Sequence, residues 1–239
     1  MCVCTKHQNP KLMLDALGGT CSFDLYVLMA KVVCDTSNKW CMLHRCEKCP
    51  GKPNLDSFLL DKLTDEDEIK FSQWVSVDRA ELVTHVLPRE EFIDKLAQSI
   101  DDLTAHHVIT KSQSAYYKEA RDALSPNQAL ITLDFAENYS FLVQDAIQGY
   151  HWVNDQATLH PFSVYTTKGH VSYCVISDHM AHSSIAVHAF RTAVLEDLKA
   201  KHPEINEIIY FSDGAGSQYK NFKNLTNLLH HESDYGIKA

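Results

Sequence analysis

Two sets of residues in this chain have the types and spacing that metal chemistry needs. Every cysteine except Cys174 lies at or before Cys49. The early group offers Cys2-x-Cys4-x₂-His7 at one end and Cys41-x₄-Cys46-x₂-Cys49 at the other, with His44 between. Zinc takes four thiolate or imidazole ligands in a tetrahedron, commonly from two short knuckles that the fold brings together. Cys4, His7, Cys46 and Cys49 carry two-residue spacers and are predicted to hold a structural Zn²⁺, with Cys2 and Cys41 as substitutes or a second partial set. Cys21 and Cys34 stand in more apolar surroundings and read as buried thiols. The competing reading is a reduced, cysteine-rich core.

The second set lies late in the chain. Leu133-Asp134-Phe135 and Tyr210-Phe211-Ser212-Asp213-Gly214 each follow an apolar run of strand length, so each aspartate leaves the end of a strand. Carboxylates on adjacent strands can hold a pair of Mg²⁺ (or Mn²⁺) ions about 3.5–4 Å apart, one activating the attacking oxygen and one stabilising the leaving oxygen. Strand ends also use Asp as a turn former or helix cap. The pair in this strand order favours catalysis; either residue alone would not. Glu137 reads as an outer participant or a solvated acid. Asp178 reads as a cap for a helix beginning near Ser183, or as a contributor to the site. Lys220, just after the Asp213 turn, could meet phosphate with nearby backbone N–H groups, or simply begin a helix. His151, His160 and His188 lack metal spacing and read as polar or core histidines.

The positioning elements follow from texture. Residues 1–53 form a cysteine-rich, zinc-binding head that ends at Cys49-Pro50-Gly51-Lys52-Pro53, a turn or linker. Residues 54–127 read as mostly helical, with stripes through Phe92, Ile93, Leu96, Ile100 and Leu103 and then Tyr116, Tyr117, Ala120 and Leu124. From 128 to 239, strands are expected over Ala129–Leu133, Phe141–Val143, Phe162–Tyr165, Val171–Ile176 and Ile208–Phe211. Helices are expected over 186–201, with Val187, Phe190, Val194 and Leu198 on one face, and over 219–230. Strands, a helix, a strand and a helix is the opening order of an α/β (α+β) ribonuclease-H-like mixed sheet.

Composition narrows the class. At 239 residues the chain can bury a substantial core. No run of about eighteen apolar residues is present, so no membrane-spanning helix is expected. The start, Met1-Cys2-Val3-Cys4-Thr5-Lys6-His7, does not read as a signal peptide, so clustered cysteines point to metal rather than disulfides. A formal net charge of −9 works against binding nucleic acid. The charge is uneven, however: residues 1–53 are net basic, and acidity concentrates in 54–133, as at Asp65-Glu66-Asp67-Glu68. Local fields therefore leave DNA open as a partner.

Three longer motifs sharpen this. Leu133-Asp134-Phe135-Ala136-Glu137-Asn138-Tyr139-Ser140, Gln156-Ala157-Thr158-Leu159-His160-Pro161-Phe162, and Tyr210 to Gly214 through Gln218-Tyr219-Lys220-Asn221 resemble a group of transposase-derived proteins abundant in invertebrate genomes. Cys4-Thr5-Lys6-His7-Gln8-Asn9 resembles their cysteine-rich segment. The resemblance implies a DDE-type core of ribonuclease-H-like fold that cleaves and transfers DNA strands with divalent metal. Asp134 and Asp213 match its first two catalytic acids. It further implies a nuclear protein (cytoplasmic if DNA binding is lost), an optional homo-oligomer, and no small-molecule substrate. The sequence departs from that pattern at the third acid, which should sit on a helix after a fifth strand. After Asp213, only Glu232 and Asp234 are candidates, and both precede any such strand. The chain is therefore expected to be truncated, with reduced or lost activity. The alternative is a non-catalytic zinc-containing module that binds nucleic acid or protein.

Overall fold

A computed structural model describes residues 4–18, 23–64, 67–76, 78–152 and 154–239; the side chains of His151 and Trp152 lie outside the description. The fold is mixed α+β and divides into two units, 1–115 and 116–239, where the sequence texture suggested three segments.

The first unit opens with four helices: α1 (Thr5–Ala16), α2 (Leu25–Val32), α3 (Lys39–Met42) and α4 (Lys52–Lys62). Polar residues set the starts of two of them. Asp24 accepts N–H bonds from Tyr26 and Val27 at the head of α2, and Asn38 accepts one from Trp40 at the head of α3. Gly51, at φ +71°, makes the turn into α4, while its N–H donates to Val32 O at 2.8 Å. A hairpin follows, β1 (Glu68–Ser76) antiparallel to β2 (Ala80–Pro88). This hairpin interrupts the helical region expected over 54–127, which α4 and the long helix after the hairpin otherwise occupy. Ile69, Phe71 and Gln73 alternate inward along β1, and the Phe71 ring meets Phe92 edge-on at 5.1 Å. Asn9 of α1 clasps the same strand, donating to Trp74 O at 2.9 Å and accepting from Trp74 N at 2.8 Å.

Helix α5 (Arg89–Asp122) begins in this unit and ends in the next. The expected stripe is buried along it, through Phe92, Ile93, Leu96, Ile100 and Leu103. These side chains share one core with Met13, Leu28, Met42, Leu55 and Leu59.

The second unit is built on a sheet. Its strands are β3 (Gln128–Leu133), β4 (Tyr139–Ser140), β5 (Gln156–Thr166), β6 (Gly169–Ser177) and β7 (Glu207–Phe211). β3 is central, antiparallel to β5 on one side and parallel to β7 on the other; β6 pairs antiparallel with β5. A strand parallel to its neighbour needs a crossover, and α6 (Ser184–Lys201) supplies it. Val187, Phe190, Val194 and Leu198 of α6 are buried with Ala129, Ile131, Phe162, Val164 and Ile208. Ser183 caps α6 by accepting from Ala186 N at 3.4 Å, so Asp178 is not the cap that the sequence suggested.

Two boundaries also differ from expectation. Phe141–Val143 lies outside any strand, the pairing with β5 being made by Tyr139 and Ser140. The helix expected over 219–230 is the shorter α7 (Phe222–Leu229), capped by Asn221, and a further helix, α8 (His231–Tyr235), follows it and contains Glu232 and Asp234. Beyond α8, Lys238 makes a parallel bridge to Glu207 on the outer edge of β7.

Candidate metal centre and carboxylate pair

The loop region from the end of α2 to the start of α4 gathers four thiols. Cys34 follows α2, Cys41 is buried in α3, and Cys46 and Cys49 lie in the turn between α3 and α4. Cys34 Sγ is 3.3 Å from Cys41 Sγ, 3.8 Å from Cys46 Sγ and 3.6 Å from Cys49 Sγ. All four sulfurs lie within 4.8 Å of one another. A tetrahedron with Zn–S bonds of about 2.3 Å has S···S edges of about 3.8 Å, so this cluster is compatible with a closed structural zinc site. Cys41 is pushed up to about 12 by its hydrogen bond with Cys34 and by desolvation. Cys46 is held below the ordinary thiol value, chiefly by the backbone N–H of Lys48.

The ligand set differs from the one the spacing suggested. Cys46 and Cys49 close on Cys34 and Cys41, not on Cys4 and His7. Helix α3 and the loops on either side of it bring the four thiols together without help from the N-terminus. Cys34, expected to be a buried thiol, is exposed and sits nearest the other three. His44 is committed elsewhere: at φ +56° it turns its ring to α5, with Nε2 2.8 Å from Thr104 Oγ1. Cys4 instead lies beside His7 and His106, at 3.3 Å and 3.1 Å. Cys2 and Cys21 fall outside the described residues.

The two aspartates are brought together. Thr132 of β3 pairs with Phe211 of β7 in parallel register, and both strands deliver an aspartate within two residues of that pair. Desolvation, followed by the charge of Asp213, raises the Asp134 carboxyl above its ordinary value. Each carboxylate has one oxygen fixed by a backbone donor: Phe135 N to Asp134 Oδ1 at 2.8 Å, and Ala215 N to Asp213 Oδ1 at 3.1 Å. Among the described residues, neither belongs to a group of three ligand atoms within 4.8 Å, so Glu137 and Asp178 do not complete such a group. Lys220 is exposed at the turn before α7.

Comparison with known families follows the same division of the chain. Residues 113–239 match the sequence model of a family described as "Domain of unknown function (DUF8701)", and residues 5–104 match "Domain of unknown function (DUF8700)". The chain belongs to the DUF8701 family. No curated protein and no solved structure matches it significantly. Both aspartates fall in the DUF8701 region, and the four-thiol cluster falls in the DUF8700 region.

Within the DUF8701 region, sequence reasoning missed the residues around Asp134. Tyr219 is raised above the ordinary phenol range by desolvation and then by the charges of Asp134 and Asp213, which places its hydroxyl in their field. That hydroxyl bonds His160 Nε2 at 3.0 Å. His160 is fully buried and is lowered to about 4 by desolvation and by His182. The Phe135 ring stacks on His182 at 4.2 Å and meets His160 edge-on at 4.3 Å. His182 is bonded in turn to Asn138 Oδ1 at 2.9 Å. The expectation that His160 is a core histidine agrees with its burial, but its partner lies 59 residues away and carries no spacing signal.

Proposed function

We propose that residues 116–239 are a ribonuclease-H-like domain derived from a transposase core, and that Asp134 and Asp213 hold divalent metal for chemistry on DNA phosphodiesters. The observation that carries the reading is the carboxylate pair delivered by neighbouring parallel strands. Strand order supports it: β6, β5 and β3 run antiparallel in succession, and β7 returns through a helix to lie parallel to β3. The donors fit Mg²⁺ or Mn²⁺, which prefer carboxylate oxygen, and a cation between them would relieve the repulsion that raises Asp134. Bound there, metal supplies nucleophile activation and leaving-group stabilisation. The chain's own part is positional. Backbone N–H groups orient the two carboxylates, Phe135 beside Asp134 is held by stacking on His182, and the Tyr219–His160 bond fixes a phenol in the field of the acids. Cations at the pair would also counter the acidic balance that opposes DNA. In this reading the four-thiol cluster holds Zn²⁺ and has a structural role, and the protein works in the nucleus.

A second reading rests on a different observation. Ile185 at the start of α6 and Phe222, Leu225 and Leu229 on α7 are exposed, with Phe222 83% and Leu229 85% accessible. Ile185 and Phe222 line one groove. Exposed apolar groups in one place favour a partner-binding module, with or without catalysis.

The test is strand breakage of supercoiled plasmid by the zinc-loaded chain with Mn²⁺. The native chain should nick DNA only with metal, and Asp134→Asn and Asp213→Asn should each lower the rate at least about 100-fold. Metal-dependent nicking that survives both substitutions, or none by the native chain, would overturn the strand-cleavage reading.

A further inference from the structure

We propose that Cys4, His7 and His106 form a second zinc site, separate from the four-thiol cluster and open at one coordination position. Cys4 Sγ lies 3.3 Å from His7 Nδ1 and 3.1 Å from His106 Nε2, and the three ligand atoms all lie within 4.8 Å of one another. A tetrahedral ion with Zn–S of about 2.3 Å and Zn–N of about 2.0–2.1 Å has S···N edges of about 3.5 Å. The observed spacings are within a few tenths of an ångström of those edges.

Local structure holds the ligands in place. Cys4 is the N-cap of α1, and its carbonyl accepts from His7 N at 3.0 Å and Gln8 N at 2.9 Å. Those bonds keep Cys4 and His7 one helical turn apart on one face. His106 comes from α5, a hundred residues on, with its ring 5.0 Å from that of His7 and tilted by 59° rather than stacked. Without metal, one thiol bridges two imidazoles through weak sulfur hydrogen bonds, and Thr110 Oγ1 stands 3.4 Å from His106 Nε2. One thiolate and two imidazoles are a stronger match to a borderline divalent ion than to each other.

Three protein ligands distinguish this site from the closed set of four thiols, because the fourth position falls to water or a small anion. His7 also lines a cavity of about 670 Å³ together with Leu25, Tyr26, Met29, Leu103 and His107, so open space reaches one of the three ligands. The site joins α1 to α5 and does not depend on the chemistry proposed for the aspartates.

Zinc per chain, measured by mass spectrometry on the purified full-length chain after exchange into metal-free buffer, decides the matter. The native chain should carry two, and His106→Ala should carry one. Cys46→Ser should also lose one, from the other site. His106→Cys, which exchanges one ligand for another, should keep two. In its cobalt-substituted form it should strengthen the thiolate-to-cobalt absorption. Chelator should strip the open site before the closed one. A native stoichiometry of one, or of two unchanged by His106→Ala, would overturn the proposal. If His106→Ala does not fold, the native stoichiometry and the His106→Cys spectrum still decide it.

Discussion

The two units place their reactive residues in opposite settings. In residues 1–115 the thiols close the structure: Cys41 is buried in the core, and Cys46 and Cys49 pack against it. In residues 116–239 the core is closed by the β3–β5–β7 sheet and α6, and the reactive acids are left outside it, exposed at the strand ends. The thiols satisfy one another at 3.3–3.8 Å, whereas the exposed Asp134 is raised by partial desolvation and by the charge of its neighbour. That contrast fits a structural role for the thiols and, under the proposed reading, a cation brought to the acids.

The strongest way to break that contrast is to remove metal. Chelation, or Cys41→Ser, should cost residues 1–115 more than about 5 kcal/mol, because binding energy at a structural zinc site is folding energy. Residue-resolved hydrogen exchange should show α2 to α4 losing protection while β3 and β5 keep theirs. Equal loss in both units would erase the distinction.

Core truncation comes next. Phe71→Ala and Phe162→Ala each remove a ring that is at most 2% exposed, and each should cost about 3–5 kcal/mol in denaturant unfolding. The zinc-loaded chain should still bind its four-thiol metal in the Phe162 variant.

Acid should act on the second unit through His160. Burial lowers it to about 4, below the ordinary imidazole value of 6.5, so stability is fully present above 6.5 and is lost as pH falls toward 4, where the unfolded chain takes a proton and the folded one resists it. That window corresponds to roughly 3 kcal/mol. Unfolding of His160→Phe across the same window should show less pH dependence; an unchanged slope would assign the effect elsewhere.

The smallest effect sharpens the contrast most. Asp134→Asn removes a charge that Asp213 opposes, and should raise stability in metal-free buffer by less than about 1 kcal/mol, since both side chains are solvent-exposed. A drop in stability would mean that the carboxylate is structural. Under the proposed reading, the raised value of Asp134 predicts that protons compete with a bound cation at a higher pH than at an ordinary carboxylate pair.

Much of the second unit was legible because its signals are local. β3, β6, β7 and the second half of β5 are apolar or β-branched runs, and the Val187, Phe190, Val194, Leu198 stripe is a single helix face. The aspartates were legible for the same reason, each adjoining an apolar strand. The β1–β2 hairpin was not: it follows an acidic run, and Gln73 takes an inward position that a hydrophobic pattern would assign to solvent. Its Nε2 is satisfied there by Met13 Sδ at 3.1 Å, a contact between elements that no window of sequence contains. Ligand grouping failed similarly. Standard spacers pointed to Cys4 and His7 beside Cys46 and Cys49, but the helix ends at Val33 and Asn38 bring Cys34 and Cys41 in first. His106 and Tyr219 reach their partners across 102 and 59 residues, which only the fold reveals.

The central claim is that Asp134 and Asp213 form one divalent-cation site. It is tested most directly by titrating the zinc-loaded chain with Mn²⁺ and reading free Mn²⁺ by electron paramagnetic resonance. The account predicts saturable binding that Asp134→Asn and Asp213→Asn each weaken at least about tenfold, with zinc content unchanged. Mn²⁺ affinity indifferent to both substitutions would contradict it.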